Sequence, residues 1–260
     1  MRFNQINTLN EKLAKKEMIY GTHISLSDSS IVEMLGDVGF DFLWIDLEHS
    51  ALDKQHIQSH LMAARGTGAA AFIRIPWNDP VLVKPILEMG PDGIVFPMIK
   101  TAEDAKKAVA ATTYPPKGER GFGPRRANNY GLMNNAEYLA QVETSFWRIM
   151  QIEHVEAVKN LEEILAVEGV DTIVVGPNDL SGSIGVLGQP RHPEVMKLLD
   201  EIGEKCQKVG VPYGVSMGYV PETVADWKRR GCSWMACDSD SGYIVSGGIA
   251  VLDGMKNILE

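Results

Sequence analysis

A (β/α)8 TIM barrel is the fold the sequence predicts, and three observations predict it. Short apolar runs rich in β-branched and aromatic residues alternate with longer segments of helical periodicity, the pattern of a parallel sheet wrapped by helices. Eight such runs can be counted along 260 residues, the usual size of one such barrel. The returns from helix to strand also rhyme: VGFDFLWID, MGPDGIVFP, EGVDTIVVG and RGCSWMACD each carry a Gly that closes a helix, a short turn and a strand. An open doubly wound sheet is the alternative arrangement of the same units.

In chain order, the first run is Tyr20 to Ile24, and Ser27 or Asp28 is placed to cap the helix SSIVEMLGDVG, which Gly39 stops. Phe42 to Asp46 is the second run and Ala71 to Arg74 the third. Asp79 then caps PVLVKPILEMG, ended by Gly90, and Gly93 to Pro97 forms the fourth run. Thr101 opens TAEDAKKAVAA with Asp104 at the capping-box position. The one long excursion, Thr113 to Ala136, carries PPKGERGFGPRRANNYG; a loop of that length in a compact domain is usually functional or disordered. Trp147 to Glu153 and Thr172 to Gly176 follow, the latter after Gly169, and then Tyr213 to Ser216 and, after Gly231, Trp234 to Asp238. No low-complexity tract or linker divides the chain, so residues 1–260 are expected to form a single domain.

Composition excludes several function classes. A formal net charge of -9 supplies no basic face for nucleic acid or an anionic membrane. Three cysteines (Cys206, Cys232, Cys237) make no CxxC pair and no disulfide framework, which fits a reducing compartment. The N-terminal stretch has no apolar signal core, and no later run approaches the ~20 residues needed to cross a bilayer. A cytoplasmic protein with a small-molecule partner is the expectation.

Reacting groups in a barrel sit at the carboxyl ends of strands, so the polar residues that close the runs are the candidates. The second run ends in Asp46, Glu48 and His49, the third in Arg74, the fifth in Gln151 and Glu153, and the sixth leads into GPNDLS with Asp179. Glu153 and Asp179 come from neighbouring strand ends. Two hard oxygen ligands with open positions suit Mg2+ or Mn2+, whereas the plain alternative is two solvated acids, Asp179 capping a helix. Arg74 would stabilise negative charge developing on an oxygen, or else form a structural ion pair. Asp46, three residues before His49, could orient the imidazole as an acid-base group. His23, His56, His60, His154 and His192 are expected to be structural or surface groups. Backbone amides of Gly176, Pro177 and Asn178 at a helix start could hold a carboxylate, or simply make a tight turn. Arg120, Arg125 and Arg126 on the long loop could reach an acidic substrate or a neighbouring subunit, or be solvated.

With these residues in place, the sequence resembles the HpcH/HpaI family of class II pyruvate aldolases. The matching stretches are FDFLWIDLEHS, IRIPWNDPVLVKPILEMG, YPPKGERGFG, MQIEH and VEGVDTIVVGPNDLSGSIGVLGQPRHPEV, spread from about Phe40 to Val195. The resemblance implies a barrel whose C-terminal helix is swapped between subunits, in a hexamer built as a trimer of dimers. It implies a divalent ion on Glu153 and Asp179, Mg2+ or Mn2+ first and Co2+ or Zn2+ next, with Arg74 contacting the 2-oxo acid and its enolate. His49, oriented by Asp46, would act through a water, while Gln151 and the amides of Asn178 and Asp179 would line the pyruvate site. Glu88, where some members carry Asp, would face the His dyad of a neighbouring subunit. The activity implied is cleavage or formation of a 4-hydroxy-2-oxo acid from a 2-oxo acid and an aldehyde. No lysine closes a strand, which argues against a Schiff-base aldolase. An oxaloacetate-type decarboxylase using the same enolate, and a barrel without turnover, are the competing readings.

Overall fold

Strict inward and outward alternation along each strand organises the molecule. In the computed structural model, which describes residues 5–259, Phe42, Trp44 and Asp46 of FLWID turn into a barrel while Leu43 and Ile45 turn out toward helices. The elements run α1 (Ile6–Ala14), β1 (Ile19–Ile24), α2 (Ser29–Val38), β2 (Phe42–Asp46), α3 (Lys54–Thr67), β3 (Ala70–Arg74), α4 (Pro80–Leu87), β4 (Gly93–Phe96) and α5 (Ala102–Thr112). They continue with α6 (Asn135–Gln141), β5 (Trp147–Ile152), α7 (Val155–Lys159), α8 (Leu161–Leu165), β6 (Thr172–Val175), α9 (Pro177–Ser183), α10 (Pro193–Val209), β7 (Tyr213–Met217), α11 (Pro221–Arg229), β8 (Trp234–Ser239) and α12 (Asp240–Leu259). All eight strands are parallel and β1 pairs with β8, so the sheet closes in sequence order and the open-sheet alternative is set aside.

The caps follow the chemistry of the sequence. Asp28 accepts from the Ser30 N–H, Asp79 from that of Val81, and Thr101 and Asp104 form a reciprocal capping box. Gly39, Gly90, Gly169 and Gly231 all adopt positive φ, as the helix stops require.

Inside the barrel the packing alternates large against small. Phe42, Trp44, Phe72, Trp147 and Trp234 fill the lower interior, all buried. A Cβ on Gly21 would lie 2.3 Å from the Phe42 ring and one on Gly214 2.1 Å from the Trp234 indole, so neither position admits a side chain. α1 seals the end where strands begin: Ile6 and Leu9 enter the aromatic cluster, Asn10 accepts from the Trp147 indole N–H at 2.9 Å, and Lys12 pairs with Asp41. Each large apolar side chain buried this way contributes about 1.5–3 kcal/mol.

The long segment after α5 lies at this same sealed end, because α5 carries the chain back from the strand carboxyl ends. It is not shapeless: a 3-10 turn spans Arg126–Gly131 and α6 follows. Arg120 is 3% exposed, stacked 4.4 Å over the Tyr114 ring, 3.0 Å from the Tyr138 hydroxyl and 3.4 Å from Glu88. Arg126 donates to the carbonyls of Met89 and Leu61 at 2.6 and 2.7 Å. Arg125 is exposed. The expectation that these arginines reach a substrate therefore fails within one barrel, where Arg120 and Arg126 tie down the end opposite the strand carboxyl termini. No helix among the described residues is long and apolar enough to cross a membrane.

Candidate active site

The in-register pairing of β2 with β3 sets Asp46 beside Arg74, both pointing inward at the last rung. The guanidinium is gripped by two parallel bonds, Nε to Asp46 Oδ1 at 2.9 Å and Nη2 to Oδ2 at 2.6 Å, while Nη1 lies 3.0 Å from Glu48 Oε2. Burial pushes the Asp46 carboxyl up, but the Arg74 hydrogen bond and charge outweigh it and hold the group below its ordinary value. Asp46 is thus committed to Arg74 and to the backbone N–H groups of Glu48, at 2.9 Å, and His49, and among the described residues its carboxylate makes no bond to the His49 ring. The imidazole of His49 is 65% exposed at the rim and its Nε2 stands 3.8 Å from Glu48 Oε2. A three-residue spacing suggested otherwise, but strand register prevails: an inward carboxylate meets the neighbouring strand's arginine first.

Glu153 steps off the end of β5 and is 3% exposed. Its Oε1 accepts from the Met98 N–H at 2.7 Å and its Oε2 from Gln151 Nε2, leaving Gln151 Oε1 buried without a partner. Met98 reaches this position with φ +56, a left-handed backbone costing of order 1–3 kcal/mol in a non-glycine residue, and strain of that kind gathers at functional sites. Gly176 makes room, since a Cβ there would stand 2.9 Å from Glu153 Oε2. Burial, with Glu48 and Asp179 adding like charge, pushes the Glu153 carboxyl up to about 7. Burial likewise raises Glu48, with Asp46 and Asp179 adding to it and Arg74 opposing.

Asp179 sits in the first turn of α9, exposed toward the barrel mouth, and its carboxylate receives no hydrogen bond among the described residues. It is not the helix cap; Gly176 holds that position. Pro177 is the first helical residue and has no N–H, so of the turn GPN only Gly176 and Asn178 bring an amide, and that of Gly176 is spent on the Ile152 carbonyl at 3.1 Å. Asn178 and Asp179 retain the free amides of the first turn.

Four carboxylates (Asp46, Glu48, Glu153, Asp179) therefore influence one another around a single guanidinium. Such an excess of negative charge is costly unless a cation joins it. Oxygen-only donors with an orphaned amide oxygen beside them fit a hard divalent ion. Among the described residues no group of three or more His, Cys, Asp or Glu is placed to hold a metal ion by itself.

Sequence reasoning missed His23. It occupies the inward position near the end of β1, partly buried, with Nδ1 2.7 Å from the Asp238 carbonyl and Nε2 2.9 Å from Ser216 Oγ. Alternation from Ile19 and Gly21 was the signal that could have found it. The other histidines are structural: His60 bridges Ser29 and the Leu26 carbonyl, and His56, His154 and His192 serve as helix-start residues. Glu88 lies past the end of α4, at the sealed end with Arg120, and its own His49 is out of reach.

One family model, HpcH/HpaI aldolase/citrate lyase, matches residues 20–238, nearly the whole barrel. The chain belongs to the HpcH/HpaI family. As an HpcH/HpaI protein it is a carbon–carbon lyase of the aldolase type. It is 36% identical over 245 residues to the 2-dehydro-3,6-dideoxy-6-sulfogluconate aldolase of Pseudomonas putida, covering 94% of this chain and 95% of that protein. It is also 36% identical over 251 residues to the 5-keto-4-deoxy-D-glucarate aldolase of Shigella boydii, covering 96% of each. A crystal structure of an HpcH/HpaI aldolase/citrate lyase family protein from Burkholderia cenocepacia superposes with a TM-score of 0.91 at 31% identity, over 96% of this chain and 99% of that one.

Proposed function

We propose that the protein is a divalent-metal-dependent aldolase that cleaves or forms 4-hydroxy-2-oxo acids, with Glu153 and Asp179 as its metal-holding residues. The observation that carries this reading is the uncompensated cluster of carboxylates around Arg74, with Glu153 pushed up to about 7 by burial and by Glu48 and Asp179. A divalent ion there, Mg2+ or Mn2+ before Co2+ or Zn2+, would supply the Lewis acidity that eases enolisation of a 2-oxo acid. Arg74, clamped by Asp46, is pre-aimed to stabilise negative charge on the keto oxygen. Gln151 and the first-turn amides of Asn178 and Asp179 line the place of the 2-oxo acid, and Gly176 and Pro177 shape it. His49, with Glu48 beside it, moves the proton of the 4-hydroxyl through a water as the carbon–carbon bond breaks.

The assembly proposed is a homo-oligomer, a hexamer as a trimer of dimers, with α12 swapped between subunits and Glu88 presented to a neighbour's mouth. Support for the swap is that Ile244, Val245, Ile249, Val251, Leu252, Met255 and Ile258 of α12 are all exposed on the single chain.

Glu153→Gln and Asp179→Asn test the metal reading. Each should abolish metal-stimulated aldol cleavage while circular dichroism and thermal unfolding stay close to the wild type. Wild-type turnover by either variant at limiting metal rejects the two-carboxylate site.

A further inference from the structure

The barrel mouth has two chemically different sides. Arg74, Glu48, Glu153 and Asp179, all ionisable, come from β3, from the loops after β2 and β5, and from the first turn of α9. Across from them β1, β7 and β8 bring three uncharged hydrogen-bonding groups, His23, Ser216 and the Asp238 carbonyl, while the Asp238 carboxylate, which accepts from the Ser239 N–H, acts on His23 only through its charge. Trp44, fully buried, forms the floor beneath both sides, its ring 5.5 Å from Arg74 Cζ and 5.2 Å from the His23 ring centroid.

Hydrogen-bond roles on the neutral side can be worked out. A backbone carbonyl only accepts, so His23 Nδ1, 2.7 Å from the Asp238 oxygen, carries the proton. Burial, first, and the Arg74 charge lower the affinity of the imidazole for a second proton, despite the opposing Asp238 carbonyl and the charges of Asp46 and Asp238, so Nε2 is a lone-pair acceptor. Ser216 Oγ, 2.9 Å away, donates its only proton to it. What Ser216 has left to show the opening is acceptor lone pairs, and both residues are only partly buried there.

We infer that Ser216, fixed by His23, is a specificity-determining residue that accepts a hydrogen bond from a hydroxyl on the aldehyde half of the substrate. This rests on the aldolase reading above: with the 2-oxo acid on the charged side, the chain beyond C4 extends toward the neutral side. An aldehyde bearing a hydroxyl donor finds a partner in Ser216. A purely apolar aldehyde leaves the oxygen desolvated and unpaired, and a carboxylate end meets only lone pairs, so both are disfavoured.

The test compares glycolaldehyde with acetaldehyde, and with glyoxylate, as acceptors for pyruvate under saturating Mn2+. The readout is the ratio of kcat/KM values, so the intrinsic reactivity of each aldehyde cancels between variants. Ser216→Val, which fills the space with methyl groups, and His23→Phe, which removes the group that turns the serine hydroxyl, should each lower the glycolaldehyde-to-acetaldehyde ratio about tenfold. Ser216→Thr, which keeps the hydroxyl, should retain it. A ratio unmoved in both Ser216→Val and His23→Phe overturns the inference, as does a wild type that prefers glyoxylate to glycolaldehyde. Wild-type decarboxylation of oxaloacetate, which needs no aldehyde, is measured alongside: its failure to respond to any divalent metal overturns the enolate reading and this inference together, whereas a response with an unmoved ratio rejects the Ser216 role alone.

Discussion

Arg74 and His49 differ in how firmly they are held, and the roles proposed for them can be separated by experiment. Arg74 is fixed by a two-pronged carboxylate, whereas His49 stands 65% exposed at the rim. Decarboxylation of oxaloacetate needs stabilisation of the enolate but no base, because carbon dioxide leaves without a proton being removed. Arg74→Ala should therefore reduce both decarboxylation and aldol cleavage by on the order of 10² to 10³. His49→Ala should lower aldol cleavage by roughly 10² to 10⁴ and spare most of the decarboxylation. The two rates measured in each variant decide it; an equal loss of both in His49→Ala moves the base to Glu48. A second expectation concerns pH. The Glu153 carboxyl, an acid raised to about 7 in the metal-free protein, holds a proton below that value and none well above it. A cation must displace that proton, so the apparent Kd for Mn2+ should rise by up to about tenfold per pH unit as pH falls below ~7 and level off above. Calorimetric titrations at pH 6 and 8 that give one Kd would show that Glu153 is not a ligand. At this scale the sequence showed which residues close the strands but not how they pair. Asp46 was read along its own strand, toward His49, when its partner lay on the next strand, and cross-strand register is not written in a single run.

Helix caps and stops were legible because their signals are local: Asp28, Asp79 and Thr101 act on backbone within three residues, and Gly39 or Gly231 needs only its own φ. The segment after α5 was misjudged for the opposite reason. Its length and arginines were visible, yet which end of the barrel it occupies depends on its following a helix rather than a strand. α12 raises an element-scale expectation of its own. One helix carrying seven exposed large apolar side chains has a face that its own barrel does not cover. Ending the chain before Gly247 should reduce the assembly, seen as a smaller species in analytical ultracentrifugation. A truncated protein that sediments like the full chain would rule out α12 as the joining element.

For the molecule as a whole, the eightfold alternation was the strongest signal in the sequence, because a closed barrel repeats one unit and each repeat reports the same fold. The interior aromatic cluster was less legible: Gly21 and Gly214 matter only through the rings of Phe42 and Trp234 that fill the space above them. That plug, sealed below by α1, also fixes the traffic of reactants. With Phe42, Trp44, Phe72 and Trp234 buried across the bore, the barrel is a blind well and not a corridor. Whatever enters must leave by the same mouth. If the 2-oxo acid lodges against the nearly inaccessible Glu153, an aldehyde that arrives first blocks the only way in, so the order of arrival is imposed by the shape of the well before any chemistry begins.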